Sequence, residues 1–149
     1  MIEKSSAEGK PEFRVSRVFD APKRLVWEAW SNAEYVARWF TPAPLTTPRC
    51  EVDLRKDGVF RVVMQMPDGV EHPMEGVFTE VVPNERLAWD AMISDGLSVH
   101  TTVTFTETDG KTRLDVHQVY SRVDDAVRGA PEGWKLTLDQ LGAVVRSLH

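Results

Sequence analysis

The chain has 149 residues, 42% hydrophobic and 28% charged, which fits one globular domain with a substantial core and excludes a disordered or collagen-like chain. Its 18 Lys and Arg against 23 Asp and Glu leave a net charge of −5, and no basic run exceeds Lys23-Arg24 or Arg55-Lys56, which argues against the clustered cations of a nucleic-acid binder. No apolar stretch reaches bilayer length, residues 1–10 lack a signal peptide's apolar region, and the lone Cys50 allows neither an intrachain disulfide nor a cysteine-based zinc site, so a cytoplasmic protein is expected.

Residues 1–10 carry Ser5, Ser6 and Gly9 without apolar periodicity and read as a flexible tail ahead of a single domain over residues 11–149. Phe13, Val15 and Phe19 share one parity, interrupted by Arg17, and predict a strand from Glu12 to Asp20. Pro22 suits a first helical position, and Leu25, Val26, Ala29 and Trp30 follow at helical spacing, giving a short helix from Pro22 to Trp30. Ser31-Asn32-Ala33-Glu34 has the form of a capping box for a second short helix, with Tyr35, Val36, Trp39 and Phe40 on its stripe. Pro42, Pro44 and Pro48 end it.

Five turn signals then recur at 11- to 15-residue intervals: Asp57-Gly58, Asp68-Gly69, Pro83-Asn84, Asp95-Gly96 and Asp109-Gly110. They join six strands, and connections this short permit only antiparallel neighbours. A two-residue loop at Asp109-Gly110 sets Phe105 opposite Leu114, Val103 opposite Val116 and Thr101 opposite Gln118. A three-residue loop at Lys56-Asp57-Gly58 pairs Leu54 with Phe60, Val52 with Val62 and Cys50 with Met64. Another at Pro67-Asp68-Gly69 pairs Met64 with His72, Val62 with Met74 and Phe60 with Gly76. After a polar connection through Asp124-Asp125, the residues Trp134, Leu138, Leu141, Val145 and Leu148 mark one face of a helix from Pro131 to Leu148, about 27 Å long at the α-helical rise. That is long enough to cross the sheet.

This order of elements resembles the helix-grip fold of the START-like (SRPBCC) superfamily: an α+β fold with a curved antiparallel seven-stranded sheet, two short helices after strand 1 and a long C-terminal helix. Arg17-Val18-Phe19-Asp20-Ala21-Pro22, Val26-Trp27-Glu28-Ala29-Trp30 and Ala37-Arg38-Trp39-Phe40 are similar to the opening signature of the Aha-type family, named for activators of a heat-shock-protein ATPase. Gly133-Trp134 with Leu138 and Leu141 is similar to its closing segment, and Gly76, Pro83, Arg86 and Leu87 to its middle. The chain departs from it at Phe40-Thr41-Pro42, where that family often has Trp and then Gly-Pro. The resemblance implies an apolar cavity between sheet and helix, used for lipids, polyketides or other hydrophobic small molecules. It also implies two alternatives, a cyclase- or hydrolase-type enzyme using that cavity and a co-chaperone-like module. The chaperone partner is expected to be the least supported, because such activators carry a large additional N-terminal domain that these 149 residues do not include.

The residues themselves carry a compatible reading. Phe60, Val62, Met64, Met66, Met74 and Phe78 form a soft apolar wall that suits a ligand, and that suits plain core filling as well. Trp39, Phe40, Trp89 and Trp134 read as gate and roof of a cavity or as anchors for helices on a sheet, with Leu138 and Leu141 facing them from the last helix. His72 falls on the inward parity as a ligand contact, or sits at a wet rim. Gln118 with Thr101 could orient the polar end of a ligand. Arg17 reads as the partner of a structural carboxylate such as Glu28, or of an acidic ligand. Gly76 opens room opposite Phe60 or marks a strand bend. No catalytic template, metal spacing or cofactor fingerprint is present, and Cys50 reads as an inert buried thiol. The expected partner is a small hydrophobic molecule rather than nucleic acid or a membrane, and the abundant aromatics are compatible with a homodimer.

Overall fold

The computed structural model describes residues 3–4, 11–94 and 96–148. The strands and helices follow in the order β1 (Glu3–Lys4), β2 (Pro11–Phe19), α1 (Lys23–Ser31), α2 (Ala33–Trp39), β3 (Thr46–Val52), β4 (Val59–Gln65), β5 (Glu71–Val82), β6 (Arg86–Ser94), β7 (Leu97–Thr108), β8 (Lys111–Tyr120) and α3 (Asp125–Leu148). They form one antiparallel sheet in the order β1-β2-β8-β7-β6-β5-β4-β3, with β3 to β8 as a meander and β2 closing back beside β8. This is the helix-grip α+β fold. The seven expected strands are all present, and an eighth two-residue strand, β1, pairs Glu3 with Glu12 and Lys4 with Pro11. The remainder of the expected flexible tail lies outside the described residues.

Turn chemistry fixes two of the three hairpins in the expected register. Asp109 and Gly110 both adopt positive φ, 54° and 78°, as a two-residue mirror-image turn requires, and Phe105 faces Leu114. Gly69 at φ 93° closes the β4–β5 hairpin, with Met64 opposite His72 and Phe60 opposite Gly76. The β3–β4 hairpin differs: Val52 pairs with Phe60 and Cys50 with Val62, two residues away from the expected register. The reason is a longer loop. Asp53 N–H donates to Val59 O at 2.8 Å, Gly58 N–H to Arg55 O at 2.9 Å, and Asp57 takes the left-handed conformation at φ 68°. A Cβ on Gly58 would lie 2.0 Å from Asp53 O, so only glycine fits where the loop folds back on itself. A shift of two residues keeps every side chain on its face, so the inward set survives the change.

The helices also start differently from their sequence signals. The α2 cap is Asn32 and not Ser31: Asn32 Oδ1 accepts from Glu34 N–H at 2.8 Å, while Ser31 Oγ donates back to Glu28 O at 3.0 Å within α1. The α3 helix has 24 residues and begins before Pro131, which sits inside it. Asp124, expected in a connection, supplies the start, its Oδ1 accepting from Val127 N–H at 3.2 Å. At the start of α1, where Pro22 offers no side-chain cap, Glu107 of β7 accepts from Lys23 N–H at 2.7 Å.

The core lies between the inner face of the sheet and the three helices, where Val26, Ala29, Trp30, Val36, Trp39, Leu138 and Leu141 are buried. Gln140 of α3 ties the layers together: its Nε2 donates to Trp39 O at 3.0 Å and to Thr41 O at 2.8 Å, and its Oε1 accepts from Ala43 N–H at 2.9 Å. One side chain thus receives the carbonyls that α2 leaves free at its end.

Candidate functional site

Helical spacing on α1 and α2 and strand alternation on β4 to β6 deliver rings to one place. Trp30 and Trp39 meet at 4.5 Å between ring centroids, Phe40 meets Phe60 at 5.3 Å, and Phe60 meets Phe78 at 5.0 Å and Trp89 at 4.9 Å. Trp134 of α3 covers them, 5.7 Å from Phe40 and 6.4 Å from Trp30. The edge-to-face and stacked arrangements are those that ring quadrupoles favour. Where the resemblance implies an open cavity, these rings occupy the space. Trp30, Phe60, Phe78 and Trp89 are each 1% exposed.

Polar groups enter this layer along a single row. Strand pairing sets Phe13, Gln118, Thr101, Trp89 and Phe78 side by side across β2, β8, β7, β6 and β5. Gln118 Nε2 donates to Thr101 Oγ1 at 2.8 Å, and Gln118 Oε1 accepts from the Tyr120 hydroxyl. Tyr120 stacks on Phe13 at 6.1 Å, and burial, reinforced by the Asp124 charge, holds its hydroxyl well above the usual phenol range, so it stays a donor. The indole N–H groups divide. Trp39 Nε1 donates to Ala29 O at 2.9 Å, whereas Trp30 Nε1 and Trp89 Nε1 are buried without an acceptor among the described residues.

Most of the expected site residues converge here: Trp39, Phe40, Phe60, Val62, Met74, Phe78, Trp89, Thr101, Gln118, Trp134, Leu138 and Leu141 are all buried. Three are not part of it in the expected way. Met64 is only half-buried, Met66 is 36% exposed and His72 is exposed, because the β4–β5 hairpin tip reaches past the helices that cover the rest of the face. His72 has the expected register partner yet stands at the wet rim. Arg17 does not pair with Glu28; its guanidinium meets Asp139 of α3 and donates to Lys135 O at 3.4 Å. Gly76 is explained by close backbones, since a Cβ there would lie 2.9 Å from Phe60 O and 3.2 Å from Asp90 O. Trp30 and Tyr120 belong to the site and were absent from the sequence-derived set. Trp30 lies on the same apolar stripe as Ala29, and Tyr120 on the same strand parity as Gln118, so both were within reach of the periodicity.

Cys50, half-buried on β3, has its thiol pushed up to about 11 by burial, the behaviour of an unreactive thiol. Surface grooves also occur among the described residues. One of about 760 Å³ runs between β2 and α3 past Arg17, Phe19, Asp139 and Arg146, and another of about 660 Å³ lies on the outer sheet face between Arg14, Arg86 and Arg113. Neither is lined by the ring layer.

A family model described as Activator of Hsp90 ATPase homolog 1-like protein matches residues 20–146. No curated protein matches the sequence. Among solved structures, protein NE0264 from Nitrosomonas europaea superimposes with a TM-score of 0.83 at 28% identity, over 91% of this chain and 94% of that one. Protein CV1439 from Chromobacterium violaceum gives 0.82 at 27% identity, over 90% and 96%. A protein from Rhodobacter sphaeroides gives 0.83 at 22% identity, over 99% and 98%, a likeness of fold.

Proposed function

We propose that this chain, which belongs to the Activator of Hsp90 ATPase homolog 1-like family, binds a small, largely apolar molecule by parting the ring layer between its sheet and α3. The observation that carries this reading is the pair of buried indole donors in the middle of that layer, Trp30 Nε1 and Trp89 Nε1, which have no acceptor among the described residues. A buried donor left unpaired costs about 1–3 kcal/mol, and folded proteins leave few of them. Two of them on rings 5.7 Å apart form a local deficit that a guest atom can fill. The closed layer is then the ligand-free arrangement of a site that opens around its guest, a minor conformation made dominant by binding.

Native mass spectrometry of gently purified protein, followed by a thermal-shift panel of fatty acids, aromatic polyketides and steroids, tests the proposal. A bound mass, or a raised melting temperature that titrates with one compound class, supports it. No bound mass and no shift across the panel sinks it. A cyclase or hydrolase would need an acid or base in the pocket, and His72, the histidine on the inward parity, is exposed at the hairpin tip and gives that alternative no support. A cytoplasmic small-molecule binder remains the reading. Among the described residues, no helix is long and apolar enough to cross a membrane.

A further inference from the structure

The balance of donors and acceptors along the inner face narrows the chemistry of the guest, an inference that rests on the ligand-binding reading above. Tyr120 gives its hydrogen to Gln118 Oε1, and Gln118 gives one to Thr101 Oγ1. The chain of donation therefore ends on the Thr101 hydroxyl hydrogen, for which the described residues provide no acceptor. Thr101 is 0% exposed, and its direct cross-strand neighbour is Trp89, whose indole N–H is also unpaired. The Cβ atoms of residues opposite one another in an antiparallel pair stand about 5 Å apart, so both donors rise from neighbouring points on the same face of the sheet. The Trp30 ring approaches from the helix side, 5.7 Å from Trp89, with a third free donor.

Every free group at this point is a donor. A guest alcohol or amine would add a further donor to the excess. A carboxylate would bring a full charge into an apolar layer, and Arg17, the cation on the inward parity of β2, is already engaged by Asp139. A neutral, acceptor-only group has neither fault. We infer that the guest is a flat, apolar molecule bearing a carbonyl oxygen of the ketone, quinone or ester type, received by the Thr101 hydroxyl and the Trp89 indole N–H between the flanking rings.

Matched pairs that differ only at the carbonyl test this directly: fluorenone against fluorene, xanthone against xanthene, and 2-methyl-1,4-naphthoquinone against 2-methylnaphthalene, each titrated calorimetrically into the full chain. Two added hydrogen bonds correspond to a preference of about tenfold or more for the carbonyl member. Thr101→Val and Trp89→Phe are each expected to cut that preference to less than about threefold, whatever either does to the affinity for the hydrocarbon member of the pair. Thr101→Ser, which keeps the hydroxyl, is expected to retain it. Circular dichroism checks that each variant folds; if Thr101→Val does not, Trp89→Phe carries the test. Equal affinity within every pair overturns the carbonyl inference and leaves the apolar-ligand reading standing. Failure of all six compounds to bind overturns the inference together with that reading.

Discussion

Trp39 and Trp89 are both almost fully buried in the same layer and differ in one respect, since the Trp39 indole donates to Ala29 O and the Trp89 indole to no acceptor among the described residues. Replacing either with Phe removes a similar volume, but Trp39→Phe leaves a carbonyl unpaired while Trp89→Phe relieves an unpaired donor. Trp39→Phe is therefore expected to cost about 1–2 kcal/mol more than Trp89→Phe in urea unfolding, and equal costs would contradict the assignment of the free donor. Cys50 gives a pH-dependent expectation. Burial raises the thiol from 9.0 to about 11, so between these values the unfolded chain has lost a proton that the folded chain still holds. Stability contributed by the neutral thiol is complete below pH 9 and declines as pH rises towards 11. Tyr120 acts in the same direction at higher pH. Urea midpoints at pH 8 and pH 10.5 are expected to differ less in Cys50→Ala than in the parent chain. An identical difference would show that the thiol titrates no differently on folding.

At the scale of elements, the capping box illustrates how a legible signal can be one residue out. Ser31-Asn32-Ala33-Glu34 announced a helix start correctly, but α1 runs on to Ser31, and that takes the serine hydroxyl back to Glu28 O and leaves Asn32 in the extended conformation a cap needs. Asn32→Ala is expected to cost about 1 kcal/mol and Ser31→Ala no more than about 0.5 kcal/mol, measured by thermal or urea unfolding. The reverse order would restore the serine cap. The start of α3 follows the same logic: proline fits a first helical position, yet Asp124 offers the stronger cap and the helix begins there. Gln140 shows what periodicity passes over. It lies off the apolar stripe of α3, yet its amide holds the end of α2 and the following loop through three hydrogen bonds.

For the whole molecule, ligand binding and folding are linked. A compound present at about 100 times its dissociation constant adds about 2.7 kcal/mol to stability. For a chain of this size that is a rise of roughly 5–11 °C in melting temperature. A smaller rise at that multiple of the measured dissociation constant would mean that the compound also binds the unfolded chain.

The sequence by itself determined the order of elements, the meander and the inward face, because strand parity and turn chemistry are local: Asp109-Gly110 and Pro67-Asp68-Gly69 set two hairpins in register without any help from the rest of the fold. It also determined which aromatic residues face inward, since 3.6- and 2-residue periods survive small errors in loop length. Only the tertiary structure decided whether those rings enclose space or fill it, which donors find acceptors, and that Arg17 meets Asp139 across the molecule. These depend on how far apart the sheet and helices settle and on contacts between residues such as Trp30 and Trp89, distant in sequence and 5.7 Å apart in space. Composition and periodicity carry no record of that distance, which close packing of all the side chains fixes together.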